Sequence, residues 1–189
     1  MTRTVLMKAG PWLSVPPDGY GGIENVVAAL VPELRRRGIR VLLATVARST
    51  LPADERLTSF RGGQFEVLQR PYNQVSGVAH AHLHAVVRAL RDRHDIDLVH
   101  DHVEVVGLAV LAAAALAPGT PPVLHTLHWD LRKHANFYSG LDAGPRVRGF
   151  DLVLAGPVGP AAGGTDRGRR CRGRQPGCLL LRGRGAPAR

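Results

Sequence analysis

Two groups of residues in this sequence have the types and spacing to do chemistry on a ligand. The first is the segment Pro16-Pro17-Asp18-Gly19-Tyr20-Gly21-Gly22-Ile23-Glu24. Gly21 and Gly22 let backbone come close to a phosphate or a sugar, and the helix start that follows would add N–H donors and positive potential. The spelling is neither GxGxxG nor a P-loop, since no Gly-Lys-Ser/Thr follows. Taken alone, the two glycines fit a plain turn into a helix equally well. The second group gathers histidines at the ends of apolar runs: His100, Asp101, His102 and Glu104, then His125, Thr126, His128 and Trp129. An imidazole with an unperturbed pKa near ~6.5 can donate or accept a hydrogen bond with a hydroxyl near neutral pH. A histidine-rich strand end can also be simple polar lining. Asp101 and Glu104 could bind hydroxyls or form ion pairs, and Trp129 offers an apolar ring face that packing could also use. Imidazole clusters bind zinc, but His80, His82 and His84 fall in a helical pattern, where a spacing of two sends them to different faces. No metal site is expected.

The elements that must hold these residues alternate. An apolar, β-branched run at residues 4–8 reads as a strand, followed by a Pro/Gly-rich loop. Ile23, Val26, Val27, Leu30, Val31 and Leu34 recur at helical spacing, Arg37 and Gly38 end the pattern, and Pro32 lies inside it. Strands are expected near residues 4–9, 40–47, 65–69, 96–100 and 123–127. Helices are expected at residues 78–93, 105–116 and 131–141, with a turn at 118–122. This alternation predicts an α/β domain with a Rossmann-like, doubly wound parallel sheet, whose ligands gather beyond the carboxyl ends of the strands. Gly21, Gly22, His102 and His125 are then expected to line one concave surface.

Composition bounds the possibilities. The chain has 189 residues, 44% hydrophobic and 21% charged, which suits one domain with a real core. Pro11, Pro16, Pro17 and Asp18 interrupt any secretory apolar region, so the chain reads as cytoplasmic. Its most apolar stretch, residues 105–117, is too short to span a bilayer and reads as a buried helix. The net charge is +10, unevenly distributed. Residues 1–148 hold 17 basic and 13 acidic side chains, residues 149–189 hold 8 and 2. The body lacks the interleaved aromatic and basic residues of a nucleic-acid face, and Arg35, Arg36 and Arg37 suit a helix C-terminus, so no nucleic-acid partner is expected. Residues 149–189 carry 10 Gly, 4 Pro and 8 Arg without periodicity. They read as a tail, either disordered or translated out of frame, distinct from a domain at 1–148. Cys171 and Cys178 both fall there, so no disulfide framework or zinc ribbon is supported.

Tyr20-Gly21-Gly22-Ile23-Glu24 before an apolar helix and a Val-rich strand resembles the first βαβ unit of family 4 glycosyltransferases. Asp97-Leu98-Val99-His100-Asp101-His102 resembles that family's strand ending in a His-containing loop, and Leu124-His125-Thr126-Leu127-His128 its next strand, ending in a His-Thr pair. The resemblance covers residues 4–148 and implies the N-terminal, acceptor-side half of a GT-B fold. It implies donor-diphosphate contacts at Gly21 and Gly22, an acceptor-side catalytic position at His125, and acceptor binding by Asp101, His102, Thr126, His128 and Trp129. The implied reaction is retaining transfer, of hexosyltransferase type, from a nucleotide sugar (UDP- or GDP-linked) to a sugar or lipid-linked acceptor, without a cofactor. Membrane association is compatible with this but not indicated. Asp95-Ile96-Asp97 spells the metal motif of many GT-A transferases, but it leads into a strand and reads as coincidental. The resemblance places the nucleotide in a C-terminal domain that residues 149–189 are too few to form, so the chain is expected to be inactive alone. A non-catalytic α/β module binding a carbohydrate or a phosphorylated ligand is the alternative.

Overall fold

The computed structural model describes residues 2–103, 119–128 and 153–154. Strand β1 (Thr4–Lys8) leads to helix α1 (Gly22–Arg36), then to β2 (Arg40–Thr45) and β3 (Glu55–Thr58). A 3-10 turn (Phe65–Gln69) precedes α2 (Tyr72–Asp92), followed by β4 (Leu98–Asp101), β5 (Val123–Leu127) and β6 (Val153–Leu154). The described strands form one parallel sheet in the order β3-β2-β1-β4-β5-β6. That order is doubly wound, with its switch point between β1 and β4. The α/β Rossmann-like class expected from the sequence is therefore the observed one.

Among the described residues, α2 packs on one sheet face and α1 on the other. Leu6, Leu42, Val99 and Val123 pack with Leu83, Val86 and Leu90 of α2, while Met7, Val41 and Leu43 pack with Val27 and Val31 of α1. Alternation along a strand then assigns every second residue to the same helix. β1 sits between β2 and β4 with all five residues buried, which is why it reads as a continuous apolar run rather than an alternating one. Helix α1 runs through Pro32 and ends at Gly38, whose φ of 76° suits glycine. Gly38 N donates to Arg35 O at 2.9 Å and Ile39 N to Leu34 O at 3.1 Å, capping the last carbonyls. Arg35 is paired with Asp54, and Arg36 and Arg37 with Glu33, so these arginines are engaged within the domain.

The structure corrects several expectations. Residues 65–69 form the 3-10 turn, not a strand, and Phe65 and Leu68 are exposed. The strand beside β2 is instead Glu55–Thr58, a four-residue edge strand with no buried residue. A short, charged edge strand carries little hydrophobic signal. Helix α2 starts at Tyr72, six residues before its apolar periodicity, because its first turn is polar and exposed. β6 belongs to the sheet although Val153 and Leu154 lie in the stretch read as a tail, so the sheet extends past the boundary drawn at 148. The helices expected at 105–116 and 131–141 lie outside the described residues, as does the rest of 149–189.

Candidate functional site

β1, β4 and β5 are adjacent, and their register sets Lys8 opposite Asp101 and Asp101 opposite His125. These three residues form one row at the carboxyl end of the sheet. They stand two residues on from Leu6, Val99 and Val123, and so lie on the α2 face. All are buried, Lys8 at 3% exposure, Asp101 at 0% and His125 at 1%. Lys8 Nζ donates to Asp101 Oδ1 at 2.9 Å, Val103 N donates to the same oxygen at 3.2 Å, and His125 Nδ1 meets Oδ2 at 2.8 Å. Burial would raise the Asp101 pKa, but the Lys8 charge and the His125 hydrogen bond outweigh it and bring it to about 2. The carboxylate is therefore ionised and accepts only. His125 Nε2 is buried and finds no partner among the described residues.

His82 lies on the same face with both ring nitrogens engaged. Ala9 O can only accept, so Nε2–H donates to it at 2.7 Å, and Nδ1 accepts from the Ser59 hydroxyl at 2.7 Å. Burial, reinforced by the Lys8 charge, lowers its pKa to about 4 and keeps it neutral. This histidine ties α2 to the ends of β1 and β3. His80 and His84, its neighbours in the helix, are exposed.

The alternate residues form a second cluster on the α1 face. His100 Nε2 meets Thr126 Oγ1 at 2.8 Å, and His102 Nδ1 meets His128 Nε2 at 3.1 Å. The His100 and His102 rings lie with centroids 4.1 Å apart and their planes tilted by 41°. Burial lowers the His100 pKa to about 4, and burial with the neighbouring imidazoles lowers His102 to about 3. Burial also lowers His128. Among the described residues no group of three or more His, Cys, Asp or Glu is placed to hold a metal ion.

Gly21 and Gly22 open α1, which has no side-chain cap. A Cβ on Gly21 would lie 2.7 Å from Pro17 Cγ, whereas the nearest atom to one on Gly22 is 3.9 Å away. Packing thus demands glycine at the first position and not at the second. Buried Glu24 stands in the first helical turn, where its charge suits the helix dipole.

The sequence-predicted residues share the carboxyl edge of the sheet but divide between its faces. Asp101 and His125 are on one side, His102, Thr126 and His128 on the other. Asp101 contacts Lys8 and His125 and, like His125, is buried. Trp129 lies outside the described residues. Asp95 and Asp97 sit at the opposite edge, where Arg40 and Arg93 hold Asp95, and Arg3 and Thr4 N hold Asp97. Sequence reasoning overlooked Lys8, whose signal was a lone cation ending an otherwise apolar strand. It also overlooked a cleft of about 700 Å³ between the loops after β1, β2 and β3, lined by Trp12, Asp18, Arg48, Gln64 and Phe65 among others.

A parallel sheet with this strand order, carrying a buried Lys8–Asp101–His125 row at its carboxyl edge, defines a Rossmann-like α/β domain. Residues 20–155 match the family described as Glycosyltransferase Family 4, and the chain belongs to that family. Among solved structures it is similar to AviGT4, a glycosyltransferase involved in avilamycin A biosynthesis, at 27% identity and a TM-score of 0.40. The similarity covers 68% of this chain and 32% of that one, so this chain spans about a third of the other's length. No curated protein matches. No helix among the described residues is long and apolar enough to cross a membrane.

Proposed function

We propose that this domain is the acceptor-side half of a retaining glycosyltransferase, moving a hexosyl group from a UDP- or GDP-sugar to a sugar or lipid-linked acceptor. The reading is carried by His125, whose one ring nitrogen is anchored to a buried carboxylate while the other is unpaired at the carboxyl edge of the sheet. Such a nitrogen can accept a hydrogen bond from a sugar hydroxyl. In the reaction an acceptor hydroxyl oxygen bonds to the anomeric carbon, the nucleoside diphosphate leaves with the electrons of the broken bond, and the hydroxyl proton passes to the departing diphosphate.

The start of α1 supports the donor side of this reading. With no side chain capping it, the first turn offers N–H groups and positive potential to a diphosphate next to Gly21 and Gly22. The cleft walled by Trp12, Arg48, Gln64 and Phe65 offers aromatic and polar groups to an acceptor. A second domain is required to hold the nucleotide, because positioning and electrostatic stabilisation need both walls of the cleft at once. The test supplies this domain joined to a family C-terminal domain, with a panel of UDP- and GDP-sugars and acceptors, and follows nucleotide release and anomeric configuration. Transfer with retention that depends on His125 supports the reading, and comparable transfer by the 189-residue chain alone contradicts the need for a second domain.

A further inference from the structure

We propose that Lys8 and Asp101 are positioning residues that hold His125 in the tautomer with Nδ1 protonated and Nε2 bare, presenting Nε2 as an acceptor to a sugar hydroxyl. The last step rests on the glycosyl-transfer reading; the tautomer does not. A carboxylate only accepts, and Asp101 Oδ1 already takes Lys8 Nζ at 2.9 Å and Val103 N at 3.2 Å. The remaining oxygen, Oδ2, faces His125 Nδ1 at 2.8 Å, so the proton between them belongs to the imidazole. In the neutral ring Nε2 then has a free lone pair. Lys8 keeps Asp101 charged in a place with no solvent, which makes the assignment one-sided rather than a balance between tautomers.

Two comparisons within the molecule separate this role from structural support. His82 lies on the same sheet face and equally deep, yet both its nitrogens are partnered, by Ala9 O and Ser59 Oγ. That is the pattern of a histidine serving the fold alone. His102 also has an unpaired Nε2, but its Nδ1 faces the His128 imidazole, which can either donate or accept, so nothing fixes its tautomer. Among the described residues, only His125 combines an unpaired nitrogen with an anchor that can be read one way. The row is also built by register, from three neighbouring strands each contributing one residue.

The experiment is nitrogen NMR of the 189-residue chain labelled with 15N-histidine, the His125 signals being assigned by their loss in His125→Gln. A neutral ring with Nδ1 protonated and Nε2 bare is expected, unchanged in Lys8→Arg and displaced toward the other tautomer in Asp101→Asn. A protonated Nε2 in the neutral ring of the wild-type chain overturns the proposal. So does a folded Asp101→Asn that keeps the wild-type pattern. If Asp101→Asn does not fold, the wild-type and Lys8→Arg spectra still decide. In the two-domain enzyme, Asp101→Asn is expected to lower kcat at least about tenfold with little change in KM. The two readings fail separately. The expected tautomer without any sugar transfer refutes glycosyl transfer and leaves the positioning assignment intact, whereas transfer with Nε2 protonated does the reverse.

Discussion

Replacing Lys8 by Met keeps an unbranched side chain in the core while removing the charge that faces Asp101. In the folded protein Asp101 has no solvent exposure, and after the substitution it retains only the hydrogen bonds from His125 and Val103. Breaking one side of a buried ion pair costs about 3–5 kcal/mol, because the remaining charge is left uncompensated. A domain of this size is stable by about 5–15 kcal/mol, so Lys8→Met should remove about a fifth or more of the total. Asp101→Asn should cost a similar amount by stranding Lys8. The double variant carries neither charge, and its cost should fall well below the sum of the singles, a coupling of about 2 kcal/mol or more. Acid response adds a sign. The folded Asp101 pKa is lowered to about 2, below its unfolded value, so its contribution is full above pH ~4 and lost as pH falls through the folded value. Without Lys8 that loss begins at higher pH. Urea unfolding followed by tryptophan fluorescence measures each variant. A Lys8→Met midpoint equal to wild type, or strictly additive singles, would refute the reasoning.

The buried imidazoles make a separate pH prediction. His82 and His100 have folded pKa values lowered to about 4 and His102 to about 3, so between those values and ~6.5 the unfolded chain binds protons that the folded one does not. Stability should fall on acidification through that window, by up to about 1.4 kcal/mol per pH unit for each imidazole. A thermal midpoint unchanged between about pH 7 and about pH 5 would contradict this. The glycines differ in a testable order. Gly63→Ala should destabilise strongly, since its Cβ would lie 2.5 Å from the Trp12 carbonyl oxygen, and Gly21→Ala should also destabilise through Pro17. Gly22→Ala, in open space, should be neutral or slightly stabilising. Equal denaturation midpoints for the three variants would sink that ranking.

The parts of this domain that could be read from sequence are those where burial writes itself into residue type. β1 and β2 are largely apolar runs because both sheet faces are covered there, and α1 carries an apolar stripe because only one of its sides packs. β3 could not be read so, since Glu55 and Arg56 on an edge strand look like loop, while the apolar Phe65, Val67 and Leu68 form a 3-10 turn with no buried residue. The site was legible at the level of the sheet edge: a parallel alternation gathers residues toward the carboxyl ends, where His100 and His125 lie within β4 and β5 and His102 directly follows β4. Their division between two faces depends on register, which local sequence does not specify. Asp101 reads from sequence as a ligand contact, and the structure buries it between Lys8 and His125; Lys8 becomes meaningful only once β1 and β4 are known to be neighbours.

The central claim is that an unpaired His125 nitrogen at this edge serves sugar transfer. The most direct measurement compares wild-type and His125→Gln forms of the two-domain enzyme for transfer from its best nucleotide-sugar donor, with urea midpoints recorded alongside. The account predicts that kcat falls by at least about a hundredfold in a protein that still folds, because a positioned hydrogen-bonding group at the reacting sugar is lost. Transfer by a folded His125→Gln at a rate near that of wild type would contradict it.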